Sequence, residues 1–274
     1  MSLLIILIIS VVQGVTEFLP ISSSGHLIIF YKLFGVTQGT LFLSIILHFA
    51  TLLSIVAFYY KDLFFYLKNF KSKTTIKFII TTFTTLIFVL LFKNFLIGSF
   101  DGRYLIVCFI ATSILLFIAD QYSTCHKYSM FLSKNYNMKP KTFNFCFNSI
   151  NNLKAGIVGL VQSFAVLPGI SRSGSTISAM ILMNCEKKES ANYSFIISIP
   201  IVLGSLVFEM ADFFKNPEPL GFSALELIVG FVVCFFVGLL SIKLLLKIIQ
   251  AKKLSIFSFY LVILSIILLL FRVI

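Results

Sequence analysis

Long apolar blocks alternate with polar turns along the chain. Residues 41–60, 78–96, 104–119, 193–210, 224–240 and 254–271 each read as one membrane-crossing helix, the fourth with a kink expected at Pro200. Four shorter apolar blocks, 2–15, 27–34, 156–167 and 177–185, fall short of a crossing and come in two pairs. Each pair flanks a polar run: QGVTEFLPISSSGH at 13–26 in the first and PGISRSGST at 168–176 in the second. Two half-length helices around such a turn predict a re-entrant hairpin. Irregular backbone at membrane depth is tolerated only where protein or a water-filled cavity covers it. The predicted fold is an all-α polytopic membrane protein with about six transmembrane helices and two re-entrant hairpins.

The two polar runs are related. ISSSG at 21–25 and ISRSG at 170–174 differ at one position, and 44–64 lies over 194–214 without a gap, at nearly the same offset. Three predicted spans separate the hairpins, so the two enter from opposite faces. That is an inverted-topology repeat, with halves of about 1–120 and 150–274 in one integral-membrane domain and a site where the two turns meet.

Composition sharpens this reading. Of 274 residues, 59% are hydrophobic and 12% charged, and mean hydropathy is +1.04. No soluble domain requires so much apolar surface. The net charge of +12 sits mainly between apolar blocks, which marks topology and anionic lipid contact, with no nucleic acid implied. Sixteen Lys and Arg residues collect on one face, at 61–77, 127–154, 187–188 and 243–253, against five on the other. The first face is therefore expected to be cytoplasmic, with both termini outside. The polar stretch 120–154 is expected as a loop with some interfacial helix. The N-terminus lacks a basic leader and a small-residue cleavage site, so no removable signal peptide is expected. Five cysteines, Cys108, Cys125, Cys146, Cys185 and Cys234, show no paired spacing and read as packing residues.

Candidate chemistry centres on the two turns. An arginine at membrane depth costs roughly 3 kcal/mol on insertion scales, and an anionic ligand would offset this for Arg172. Its planar fork suits phosphate. Ser171, Ser173, Gly174, Ser175 and Thr176 can add hydroxyl and backbone N–H donors, and so can Ser22, Ser24 and Gly25. Glu17 is a membrane-depth carboxylate, a general base or a metal ligand, and Gln13 lies one helical turn before it, on the same face. His26 follows three residues after Ser23, which places a base, a hydroxyl and a carboxylate across a tight turn. His48 lies mid-span, as a site residue or a helix contact. Glu209 and Glu226 sit near span ends and read as interfacial.

QGVTEFLPISSSGH and PGISRSGSTI resemble the two signature regions of the undecaprenyl-diphosphatase family, also called the bacitracin-resistance family. The resemblance covers the whole chain, including HFATLL from His48, Ala119-Asp120 and the run Gly159 to Gln162. It implies an integral-membrane phosphatase that removes one phosphate from undecaprenyl diphosphate, in a bacterial plasma membrane. It implies site roles for Gln13 and Glu17, which match the family's paired acidic element, and for Ser23, His26 and Arg172. It further implies a divalent cation, Mg2+ or Ca2+, with Glu17 as a ligand. Two departures weaken a carboxylate-built metal site: position 13 is Gln, and Asn192 stands where the family commonly has a glutamate. The partners implied are the polyprenyl diphosphate and membrane lipid, and homodimerisation is left open. The rival reading from another class is a transporter or flippase of a phosphorylated lipid or small anion, because carriers also use inverted repeats with a midplane site.

Overall fold

A computed structural model describes residues 2–92, 102–132, 150–217, 219–251 and 253–271. Among these residues there are eleven α-helices and no strand. In chain order they are α1 (Leu3–Thr16), α2 (Ser23–Leu33), α3 (Thr40–Phe58), α4 (Tyr60–Lys68), α5 (Lys73–Leu91), α6 (Leu105–Leu132), α7 (Asn152–Phe164), α8 (Arg172–Leu182), α9 (Lys187–Lys215), α10 (Ala224–Ala251) and α11 (Ser255–Phe271). Among the described residues, helices α3, α5, α6, α9 and α10 contain stretches long and apolar enough to cross a membrane, and α1 and α11 are shorter apolar helices, so α11 at 17 residues falls just short of the sixth span expected. The chain is a multi-pass membrane protein.

Several boundaries differ from expectation. Helices α2 and α8 start at Ser23 and Arg172, several residues earlier than the apolar blocks suggested. The serine-rich motifs cap these helices and form their first turns, so the irregular turns are shorter than the polar runs. The basic stretch 61–77 is largely helical, holding α4 and the first turn of α5. Helix α6 runs past Ala119 to Leu132, into the stretch read as a loop; residues 133–149 lie outside the described residues. Residues 93–101 and the side chains of Cys125 and Cys146 lie outside them too. Helix α9 continues through Pro200 as one element. Cys108, Cys185 and Cys234 are buried and form no disulfide among the described residues.

The helices that flank the two serine-rich turns pack against the longer ones. Helix α1 packs on α10 and α3, α7 packs on α5, and α8 sits between α6 and α9. Exchange α1 with α7, α3 with α9, α5 with α10 and α6 with α11. The α1–α10 contact then becomes α7–α5, α3–α10 becomes α9–α5, and α3–α9 and α6–α11 map onto themselves. Hydrogen bonds reinforce the packing where a polar group would otherwise stand unsatisfied in hydrocarbon. Thr81 donates to the Ala155 carbonyl at 3.0 Å, Thr85 to that of Gly159 at 2.9 Å, and Ser54 to that of Phe235 at 2.8 Å. At Gly159 a Cβ would lie 2.6 Å from the Thr81 carbonyl oxygen, so α5 and α7 meet this closely only over a glycine.

Candidate active site

The second turn is built by its proline and glycine. Ile170 N–H donates to the Leu167 carbonyl at 3.0 Å, across Pro168 and Gly169, and Gly169 has φ +93°. This is a type II turn, with proline pre-set at its second position and glycine where φ must be positive. The chain then enters α8 with Ser171 as N-cap, its Oγ accepting from Gly174 N–H at 3.0 Å. Thr112 on α6 anchors the turn by accepting Ser171 N–H at 3.1 Å.

The first turn reverses differently. Ile21 N–H donates to the Leu19 carbonyl at 2.8 Å around Pro20. Ser22 then takes φ +69° and caps α2, its Oγ accepting from Gly25 N–H at 3.4 Å. The left-handed residue is a glycine in one copy and a serine in the other. A serine held there costs roughly 1–3 kcal/mol, a strain that collects at functional sites. Laying the copies together puts Ser22 on Ser171 as cap and Ser23 on Arg172 as first helical residue.

The two turns touch. Ser173 Oγ donates to the Leu19 carbonyl at 3.2 Å, and Arg172 Nη2 donates to Glu17 Oε1. Both turns open on a cavity of about 240 Å3. Its walls are Thr16, Glu17, Ser22, Ser23 and Ser24 at the first turn, and Ile170, Ser171, Arg172 and Ser173 at the second. Leu27, Ile28 and Tyr31 of α2, Ser44 and His48 of α3, Ala165 and Val166, and Ile201, Val202, Ser205 and Glu209 of α9 complete it. Two helix N-termini therefore line one small space, and both bring positive partial charge to it.

Glu17 is the hub. Its Oε2 accepts from Ser23 Oγ at 2.6 Å and from Gln13 Nε2 at 3.0 Å. His48 Nε2 lies 3.7 Å from the same oxygen, while His48 Nδ1 lies 2.8 Å from the Ser44 carbonyl, to which it donates. Arg172 satisfies Glu17 through Nη2 only. Its Nη1 is buried and has no hydrogen-bond partner among the described residues. A buried guanidinium N–H without an acceptor is costly and rare, and it points to an acceptor brought by a ligand. Gln13 Oε1 is orphaned in the same way.

The structure thus brings Glu17, Ser22, Ser23, Ser24, Ser171, Arg172 and Ser173 to one cavity. Gln13 stands behind Glu17 as its hydrogen-bond donor, outside the wall. The N–H groups of Gly25 and Gly174 are taken by the capping serines. Ser175 is buried in α8 away from the cavity. Thr176 donates to the Arg172 carbonyl at 2.9 Å and pairs with Ser194 Oγ at 2.6 Å, so it braces α8 and does not line the site. His26 is not on the cavity wall. Its Nδ1 lies 2.7 Å from the Ser22 carbonyl and its Nε2 lies 2.7 Å from the Tyr260 hydroxyl. The turn ends at Ser22, so His26 already lies on a helix side that faces α6 and α11.

Glu209 corrects the reading from sequence: it lines the cavity with Ser205, Tyr31 and Ser44, where an interfacial position was expected. A signal was present. Ser44 and His48, and Ser205 and Glu209, are each four residues apart, a polar stripe on one face of an apolar helix. The expected cation does not find a cage here. Among the described residues no three His, Cys, Asp or Glu side chains gather closely enough to hold a metal ion. Both oxygens of Glu17 already accept hydrogen bonds, and Asn192 Oδ1 accepts from the Tyr59 hydroxyl at 2.7 Å.

Comparison with known proteins follows the same line. The family model described as "Bacitracin resistance protein BacA" matches residues 6–267. An undecaprenyl-diphosphatase of Methanococcus maripaludis is 36% identical, over 97% of this chain and 98% of the relative. Those of Carboxydothermus hydrogenoformans and Thermosipho africanus are each 33% identical, over 95% of this chain and 94% and 97% of theirs. The chain belongs to the bacitracin resistance protein BacA family.

Proposed function

We propose that this protein hydrolyses undecaprenyl diphosphate to undecaprenyl phosphate and inorganic phosphate, which recycles the lipid carrier of cell-wall synthesis and confers bacitracin resistance. The relatives' activity supports this reading, and the unpartnered Nη1 of Arg172 carries it at the level of the site. That N–H, the two helix N-termini and the flanking serines suit a diphosphate. A cavity of about 240 Å3 suits a headgroup and leaves the prenyl tail to the apolar surface between helices.

Arg172 bridges Glu17 and the substrate, with Nη2 on the carboxylate and Nη1 on a phosphate oxygen, and it stabilises charge on the transferring group. Ser23 attacks the terminal phosphorus. The new bond joins Oγ to phosphorus, the bond from phosphorus to the bridging oxygen breaks, and undecaprenyl phosphate leaves. The hydroxyl proton passes to Glu17 Oε2, which already accepts it at 2.6 Å. His48, beside that oxygen, relays the proton onward. Water, giving a proton to Glu17, then attacks the phosphorus of the phosphoserine; the bond from phosphorus to Ser23 Oγ breaks, Oγ takes back a proton from Glu17, and inorganic phosphate leaves. A resident divalent cation does not fit this donor set, and no step is assigned to one. We further place the lysine-rich face in the cytoplasm of a bacterial plasma membrane, with both termini outside.

The test is phosphate release from undecaprenyl or farnesyl diphosphate by the purified protein, beside Arg172→Ala and Ser23→Ala. Release lost in both variants supports the covalent route. Release kept by Ser23→Ala replaces it with direct attack by water. No release from folded wild-type protein overturns the phosphatase reading in favour of lipid transport.

A further inference from the structure

His26 is fixed on all sides and turned away from the reacting groups. The Ser22 carbonyl only accepts, so Nδ1 carries the ring hydrogen, and in the neutral ring Nε2 is then the acceptor of the Tyr260 hydroxyl. The ring is 3% exposed, edge-on to Phe109 at 5.7 Å and stacked on Tyr260 at 5.8 Å with 9° between planes. What it grips is the carbonyl of Ser22, the left-handed residue directly before Ser23. That carbonyl also receives His26 N–H at 3.3 Å.

The second copy serves as an internal control. There Ser171, the counterpart of Ser22, is relaxed at φ −76°, and the position of His26 is taken by Ser175. The grip is present only where the backbone is strained. We propose that Tyr260 and His26 form a positioning strap that holds Ser22 in its left-handed conformation and so aims Ser23 at the phosphorus. His26 then acts through Ser22, and Tyr260 of α11 sets its tautomer and plane. This rests on the reading above that Ser23 is the nucleophile.

The experiment measures kcat and KM for undecaprenyl diphosphate with the full chain in proteoliposomes, each variant checked for monodisperse elution. Tyr260→Phe, which removes one hydroxyl, is expected to lower kcat roughly tenfold and leave KM within about twofold. His26→Ala is expected to lose about 10²-fold in kcat. His26→Asn, whose amide N–H stands where Nδ1–H stood, should recover most of that loss. In the His26→Ala background, Tyr260→Phe should change nothing further. If His26→Asn is as inactive as His26→Ala, the ring carries the proton itself and the strap is wrong. Wild-type kcat in Tyr260→Phe also overturns it. The underlying reading fails separately, if Ser23→Ala retains wild-type turnover, and a silent wild-type protein sinks both.

Discussion

Ser23 and Arg172 occupy the same position in two copies of one helix start, and each donates to a different oxygen of Glu17. One repeat supplies a hydroxyl and the other a guanidinium, and a single carboxylate between them fixes both. The site is therefore asymmetric in chemistry although its turns are similar in sequence. The counterpart of Glu17 in the second copy is Val166, so only one hub exists.

Arg172→Ala should lower kcat/KM by about 10³-fold, because it removes the donor on the transferring phosphoryl group and leaves Glu17 buried without its cation. Arg172→Lys should fall between wild type and alanine, since an ammonium cannot span Glu17 and a phosphate with a rigid fork. Steady-state phosphate release measures both. Lysine matching wild type would mean that charge alone suffices and the fork geometry is irrelevant.

Ser22 gives an ordering that ordinary helix caps do not. At φ +69° a β-carbon is strained, and glycine is not. Ser22→Gly should therefore be more stable than Ser22→Ala, by about 1 kcal/mol, although both lose the hydroxyl cap. Unfolding in mixed micelles reads the difference. At Ser171, with φ −76°, the same pair should show no such advantage for glycine.

His48→Gln should reduce kcat by about 10²-fold while KM changes little, as expected for a group that handles a proton and does not bind the headgroup. Its Nε2 is 3.7 Å from the oxygen that Ser23 uses. A change confined to KM would place His48 in headgroup binding instead.

Much of this was legible in the sequence. The apolar blocks marked the spans, and the near-identity of ISSSG and ISRSG marked the meeting of two turns. The polar run PGISRSGST marked the second turn, although its type came only from the backbone, where Gly169 takes φ +93°. Glu17, Ser23 and Arg172 stood out because polar groups at membrane depth require a reason. Other features were hidden by the distance over which they act. His26 looked close to Ser23 along the chain, but its ring orientation is set by Tyr260, more than two hundred residues away. Glu209 looked interfacial because span ends cannot be placed from hydropathy alone, and α9 runs well beyond its apolar core. The helix starts were misplaced because serine runs favour turns and N-caps alike.

The expected cation makes the last test. A resident site needs several free oxygen donors, and Mg2+ in particular tolerates little departure from octahedral geometry. Here Glu17 already accepts from Ser23, Gln13 and Arg172, and position 13 offers one amide oxygen in place of a carboxylate. Asn192 is turned to Tyr59, and Glu209 stands as the remaining carboxylate of the cavity. A cation acting here would have to enter on the diphosphate. Equilibrium dialysis of the substrate-free protein should therefore show no saturable Ca2+ or Mg2+ binding up to about 1 mM, and neither ion should raise the melting temperature. Adding a non-hydrolysable diphosphate should make any cation binding appear together with it. Tight, stoichiometric binding without that ligand would mean that the hub rearranges, with Arg172 releasing Glu17 to the metal.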